Sequence, residues 1–244
     1  MGESRCKWVV VEHLKFISSL LGLHALAIDY RGFADSSGSP TETGLCTDAA
    51  AGVHWLCEHG GMRPDEVVVW AHSLGTGVAV RLALELQAKD TPLRALILES
   101  PYLSLRLAAM KHPASLAYRA LPFGNWLVYS LWRGRDELNT KMRIGDLELP
   151  MLLLHGTDDI MLPIQHGQTL NALLSERDPR VLLVAPHAFV PLEKGGHLDS
   201  IFHEATLPSI LDFLHGRSGR AKAALAPDRK LPTDTLPLAD VEYL

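Results

Sequence analysis

A serine hydroxyl attacks a carbonyl at neutral pH only when a base takes its proton and an acid fixes that base in the right tautomer. Residue types for such a relay occur at three places in this 244-residue chain. The first is Val67-Val68-Val69-Trp70-Ala71-His72-Ser73-Leu74-Gly75-Thr76-Gly77, an apolar run, a small-residue turn around a serine, and a helical pattern. That order is a nucleophile elbow, in which the residues two before and two after the serine must be small. Here they are Ala71 and Gly75; glycine is usual at the first, and alanine is the mildest departure a side chain can make. The turn holds the serine in a strained backbone conformation, and the following helix aims its N-terminal dipole and the Leu74 N–H at the developing oxyanion. A five-residue motif also recurs as an ordinary glycine-rich turn, but the strand before it and the helix after it supply the context an elbow requires.

In this arrangement the chain order is serine, acid, histidine. An acid is expected just after a downstream strand, and Leu152-Leu153-Leu154-His155-Gly156-Thr157-Asp158-Asp159 ends on two competing carboxylates. A base is expected past the last strand, where Gly195-Gly196-His197-Leu198-Asp199 lies and two glycines let the loop bend. His187 follows its apolar run too closely and His203 falls near the final helix. His72 reads as support for the turn, and His54, His59 and His112 as surface or half-buried helix residues.

These loops need elements to hold them. Short apolar runs at Ala25–Asp29, Val67–Trp70, Ala95–Leu98 and Met151–Leu154, with Val181–Val184 as a fifth, read as buried parallel strands. Amphipathic segments at about 47–59, 75–88, 163–175 and 205–215 alternate with them, which predicts an open α/β sheet. Right-handed crossovers put the C-terminal strand ends, and the loops that carry chemistry, on one edge. The stretch of about 103–149 breaks the alternation with Pro113, Pro122, Tyr118, Phe123, Trp126, Tyr129 and Trp132, and reads as a helical cap. Residues 1–217 then form one domain, and 218–244, rich in Ala, Pro, Asp and Lys, a disordered tail.

Composition narrows the function. A net charge of -5 and a pI near 6.2 exclude nucleic-acid binding through bulk electrostatics and suit a neutral or lipid-like substrate. Cys6, Cys46 and Cys57 form no CxxC pair, so no metal or redox centre is expected, and Cys46 and Cys57 read as small core residues. No apolar run reaches the ~20 residues of a membrane span. The start also lacks signal-peptide order, because Glu12, His13 and Lys15 interrupt it, so the chain reads as cytoplasmic or peripheral.

The strings Asp29-Tyr30-Arg31-Gly32-Phe33-Ala34-Asp35-Ser36, His72-Ser73-Leu74-Gly75-Thr76-Gly77-Val78-Ala79 and Ala95-Leu96-Ile97-Leu98-Glu99-Ser100-Pro101, with His112-Pro113, are selective together. From about residue 12 to 215 the chain resembles the lysophosphatidylserine and monoacylglycerol lipases among the α/β-hydrolase domain-containing proteins. The resemblance implies the α/β-hydrolase fold, a mostly parallel sheet with flanking helices and a helical cap. It implies cleavage of an acyl ester of a single-chain lipid through an acyl-enzyme, without a cofactor. The pattern His-Gly-x-x-Asp-x-x-x-Pro makes the acid Asp159 and leaves Asp158 a loop or capping role, so the site is Ser73, Asp159 and His197, with the Leu74 N–H facing the oxyanion. Such relatives carry a membrane anchor in a longer N-terminal region, which implies the endoplasmic reticulum membrane.

Residues 12–21 match the helix that follows a His-Gly loop in these enzymes, so the early strands, and the second oxyanion N–H that loop donates, are expected to be missing. Trp8-Val9-Val10-Val11 could fill the vacant strand, but His13, Phe16, Ile17, Leu20 and Leu21 continue the segment with helical spacing. The competing expectation is a weakly active or inactive hydrolase-like form that acts by binding. Among enzymes, an acyl-protein thioesterase or a peptidase of the same fold stays open, and no oligomeric state is implied.

Overall fold

The computed structural model describes residues 14–15, 18–19, 21–111 and 138–216. Trp8–Val11, the aromatic part of the expected cap and the expected tail lie outside them. Leu14, Lys15, Ser18, Ser19 and Leu21 are helical, as the spacing predicts.

The chain divides into two compact units, Met1–Met62 with Leu214–Leu244, and Arg63–Phe213. In the first, helix α1 (Glu42–Gly60) is capped by the Thr41 hydroxyl, which accepts the Gly44 N–H at 3.1 Å. Asp48 on this helix takes the Arg31 guanidinium through both oxygens, and also accepts the Arg31 backbone N–H at 2.9 Å. Buried Cys46 and half-buried Cys57 form no disulfide among the described residues.

The second unit holds a parallel sheet in the order β1 (Val68–His72), β2 (Ala95–Glu99), β3 (Met151–Gly156), β4 (His187–Leu192). Helices α2 (Leu74–Gln87), α3 (Leu105–Lys111), α4 (Gln165–Ser175), α5 (Pro179–Val184) and α6 (Thr206–His215) follow or link the strands. Strands β2 and β3 are buried along their whole length, which is why they read as unbroken apolar runs.

Two expected strands are corrected. Val181–Val184 is helical: the Asp178 side chain accepts the Arg180 N–H and Pro179 starts the helix, a local start signal that outweighs the β-branched run. Leu183 and Val184 point to solvent, and the ladder begins three residues later at His187. Pro191 within β4 disguised this strand, and it is tolerated because β4 is an edge of the described sheet. Ala25–Asp29 forms no ladder among the described residues. Its Leu26 and Ile28 lean instead over Gly52 of α1, where a side chain would come within 3.1 Å of the Ile28 methyl. An apolar run becomes a strand only where a neighbour takes its backbone hydrogen bonds. Strand β1 has a ladder partner on one side among the described residues, namely β2.

The tightest crossing in the second unit lies where β3 meets the loop after β4. A methyl group on Gly156 would overlap the Gly195 carbonyl and come within 2.8 Å of the Gly196 oxygen. Gly156→Ala is expected to lower stability by about 1–3 kcal/mol, because backbone cannot yield as a side chain does. Thermal unfolding measures this, and turnover should fall with it as the 195–197 loop is pushed away.

Candidate active site

Parallel strands running the same way deliver their C-terminal ends to one edge, and β1, β3 and β4 each release a loop there. Strand β1 ends at His72 and α2 begins at Leu74, so Ser73 is the whole of the turn between them. Its φ of 50° and ψ of -117° are a conformation that non-glycine residues rarely adopt. The Ser73 N–H donates to the Glu99 carbonyl at 3.0 Å, and the Ser73 carbonyl accepts from the Thr76 N–H at 2.9 Å and the Thr76 hydroxyl at 2.7 Å. Leu74 is the first residue of α2, so its N–H is one of those a helix start leaves without a carbonyl of its own.

The structure brings the three sequence-selected side chains into one hydrogen-bonded row. His197 Nε2 lies 3.0 Å from Ser73 Oγ, and His197 Nδ1 lies 2.8 Å from Asp159 Oδ2. The other Asp159 oxygen accepts the Met161 N–H at 2.9 Å and the Leu162 N–H at 2.7 Å. Asp158 takes no part in this row; its carboxylate accepts the Thr157 hydroxyl at 3.2 Å. Burial opposes the charge on Asp159, but the hydrogen bond from His197 and that from Leu162 outweigh it and hold its pKa below the ordinary carboxylate range.

The decoy histidines are accounted for. His187 starts β4, at the end of the strand opposite the loop, beside Ser175 and Arg177. His203 has both ring nitrogens engaged, one with the Glu193 carbonyl at 2.9 Å and one with the Ala205 N–H at 3.1 Å. His72 does support the turn, and its reach is longer than the sequence indicated. Its Nε2–H donates to the His197 carbonyl at 2.7 Å, with the two rings 4.9 Å apart, so the elbow is tied to the loop of the base.

Two further groups have no local mark in the sequence that joins them to the site. His155, fully buried on β3, donates from Nε2 to the Leu162 carbonyl at 2.7 Å and lies 3.6 Å from Asp159 Oδ2. Burial pushes its pKa down. Glu99, buried at the end of β2, accepts the Trp70 indole N–H at 3.0 Å on one oxygen and the Ser200 hydroxyl on the other. A glutamate ending an otherwise apolar strand was the available signal, because an uncompensated carboxyl is rarely buried.

This parallel sheet, with its helices, is that of the α/β-hydrolase class. The chain belongs to that family: the family model for the alpha/beta hydrolase fold matches residues 3–129. It is 37% identical over 208 residues to the lysophosphatidylserine lipase ABHD12 of Danio rerio, covering 84% of this chain and 53% of that protein. With the Macaca fascicularis lysophosphatidylserine lipase ABHD12 it shares 36% over 213 residues, 85% of this chain and 52% of the relative. The chain thus spans about half the length of these curated relatives. Its fold is similar to that of an alpha-beta hydrolase from Vibrio vulnificus, with a TM-score of 0.65 at 20% identity over 83% of this chain and 68% of the other. The Pyrococcus furiosus esterase PF2001 gives 0.61 at 21%, over 84% and 74%. No helix among the described residues is long and apolar enough to cross a membrane.

Asparagine at position 159 can keep its oxygen on the Met161 and Leu162 N–H groups only by turning its NH₂ toward His197 Nδ1. The imidazole must then carry its proton on Nε2, facing Ser73, where it cannot accept another. Asp159→Asn is therefore expected to lower kcat by about 10³–10⁴-fold, and Asp158→Asn by less than about threefold. Steady-state turnover of both variants checks the assignment; equal losses would overturn it. A carboxylate whose pKa is depressed by folding adds stability that is full above its unfolded pKa and is lost as pH falls through the folded one. The gap in melting temperature between wild type and Asp159→Asn should accordingly narrow below about pH 4.

Proposed function

We propose that this chain is the catalytic part of a serine hydrolase that cleaves acyl esters of single-chain lipids, with lysophosphatidylserine, other lysophospholipids and monoacylglycerols as the substrate class. The observation that carries the reading is the row Asp159–His197–Ser73, closed by hydrogen bonds of 2.8 and 3.0 Å at a strained turn. The names of the relatives supply the lipid.

The geometry supports one set of roles. His197 Nε2 takes the Ser73 proton as Oγ attacks the ester carbonyl, and Asp159 stabilises the imidazolium on the far side. The Leu74 N–H, at the positive end of α2, faces the oxyanion. Collapse of the tetrahedral species breaks the ester C–O bond, and His197 returns its proton to the departing alcohol. Water then attacks the acyl-enzyme through the same base, freeing the fatty acid and restoring the Ser73 hydroxyl.

Leu74 is the one oxyanion donor we assign among the described residues, and removing a donor of this kind costs about 100-fold or more in rate. Ile160 and Leu198, the residues next to the acid and the base, are 78% and 76% exposed, an apolar rim suited to acyl chains and to peripheral contact with a lipid surface. Work at the endoplasmic reticulum membrane, implied by the resemblance, accords with that rim. We take residues 1–217 as the hydrolase domain.

A fluorophosphonate probe tests the reading, because it reacts only with an activated serine. Wild type is expected to be labelled at Ser73 and to hydrolyse lysophosphatidylserine or a monoacylglycerol. Ser73→Ala should lose both while unfolding at the wild-type temperature, since the hydroxyl contributes chemistry and little packing. Residual turnover above about a tenth of wild type would refute the assignment. A folded, unlabelled wild type that binds lysophosphatidylserine would favour the binding-only alternative.

A further inference from the structure

Glu99 stands outside the proton relay yet holds both loops on which the relay depends. It closes β2, opposite His72 in the ladder, with 3% of its surface exposed. Its backbone carbonyl accepts the Ser73 N–H at 3.0 Å. One carboxyl oxygen accepts the indole N–H of Trp70, three residues before the nucleophile on β1, at 3.0 Å. The other accepts the hydroxyl of Ser200, three residues after the base. Ser200 is itself fully buried, and its carbonyl takes the hydroxyl of Thr206 at the start of α6.

We propose that Glu99 is a positioning residue that sets the distance between nucleophile and base by clamping Trp70 and Ser200 onto one rigid strand end; the inference rests on the hydrolase reading above. A buried carboxyl facing two neutral donors is a costly way to fill space, and an apolar side chain would pack there with less penalty if space were all that mattered. What the carboxyl adds is direction. Its two oxygens fix a hydroxyl and an indole N–H that lie 101 and 29 residues away in the chain, and neither partner can drift without leaving the buried carboxyl short of a hydrogen bond. The His72 bond to the His197 carbonyl ties the near end of the same loop. Glu99 ties its far end.

The role has a signature that packing lacks. The imidazole must keep 3.0 Å to Ser73 and 2.8 Å to Asp159 at once, and a displacement of about 1 Å in such a row costs about 100-fold. Substrate contacts need not change, so the loss should fall on kcat with KM nearly constant. Glutamine has the length of glutamate. Its amide oxygen can accept from Trp70 while its NH₂ donates to the Ser200 oxygen, so it should keep the clamp.

The test titrates reactive Ser73 with a fluorophosphonate and expresses kcat per titrated serine, so that unfolded molecules do not count. Glu99→Ala and Ser200→Ala are each expected to lower that kcat by about tenfold or more, with KM within about twofold of wild type. Glu99→Gln should stay within about threefold of wild type, and Glu99→Ala with Ser200→Ala should be no worse than Glu99→Ala alone. If Glu99→Ala does not fold, Ser200→Ala decides. Lower melting temperatures with an unchanged kcat per serine would overturn the positioning role, as would a glutamine variant no better than alanine. Failure of wild type to react at Ser73 would instead overturn the hydrolase reading itself.

Discussion

Holding a residue with a side chain at φ 50° and ψ -117° costs on the order of 1–3 kcal/mol, so Ser73 must be kept there by what surrounds it. The ladder between β1 and β2 runs from Val68 with Ala95 to His72 with Glu99, and its next hydrogen bond is the one from Ser73 N–H to the Glu99 carbonyl. Thr76 holds the Ser73 carbonyl twice from within α2, and the Tyr102 hydroxyl donates to the Leu74 carbonyl at 3.2 Å. Gly77 lets that ring lie against the helix, since a methyl group there would overlap the tyrosine oxygen. Sheet, helix and ring thus converge on one unfavourable turn, and the result is a hydroxyl presented at the edge where the other two loops arrive.

Those two loops are held to different standards. The acid is fixed by backbone: Asp159 accepts two main-chain N–H groups three residues or fewer away, a local arrangement that its own loop dictates. The loop of the base has a local bond from the Gly196 N–H to Asp199 Oδ1 at 2.6 Å, but it also leans on partners far along the chain, with the His197 carbonyl on His72 and its downstream neighbour Ser200 on Glu99. A loop built on Gly195 and Gly196 is free to take many shapes, and long-range hydrogen bonds choose among them.

What is legible in the amino-acid sequence is mostly what has a local signal. Ser73, Asp159 and His197 stand out because an elbow, a strand-end acid and a glycine-flanked histidine each have a local signature, and the fold does bring these three together. Strands β2 and β3 are legible because burial along their whole length leaves them mostly apolar, and β1 because the run Val67 to Trp70 leads straight into the elbow. Strand β4 is hidden by Pro191, a residue that an edge accepts and a centre does not. The Val181–Val184 run misleads because its helix is set by Asp178 and Pro179 rather than by its own side chains. Glu99, Trp70 and Ser200 give no joint signal, since nothing in local spacing links positions 29 and 101 apart.

Asp159 Oδ2 faces two imidazoles, His197 at 2.8 Å and His155 at 3.6 Å, and the two stand in different surroundings. His155 is sealed from water, already donates to the Leu162 carbonyl, and has its pKa pushed down by burial. Were it to become a cation, it would compete with His197 for the charge of the same carboxylate oxygen. The buried His155 ring fills the space beside Asp159 Oδ2 and leaves water little access to that oxygen. The carboxylate's charge thereby meets His197 with little solvent to screen it, and a charge in such a dry setting acts more strongly than it would in water.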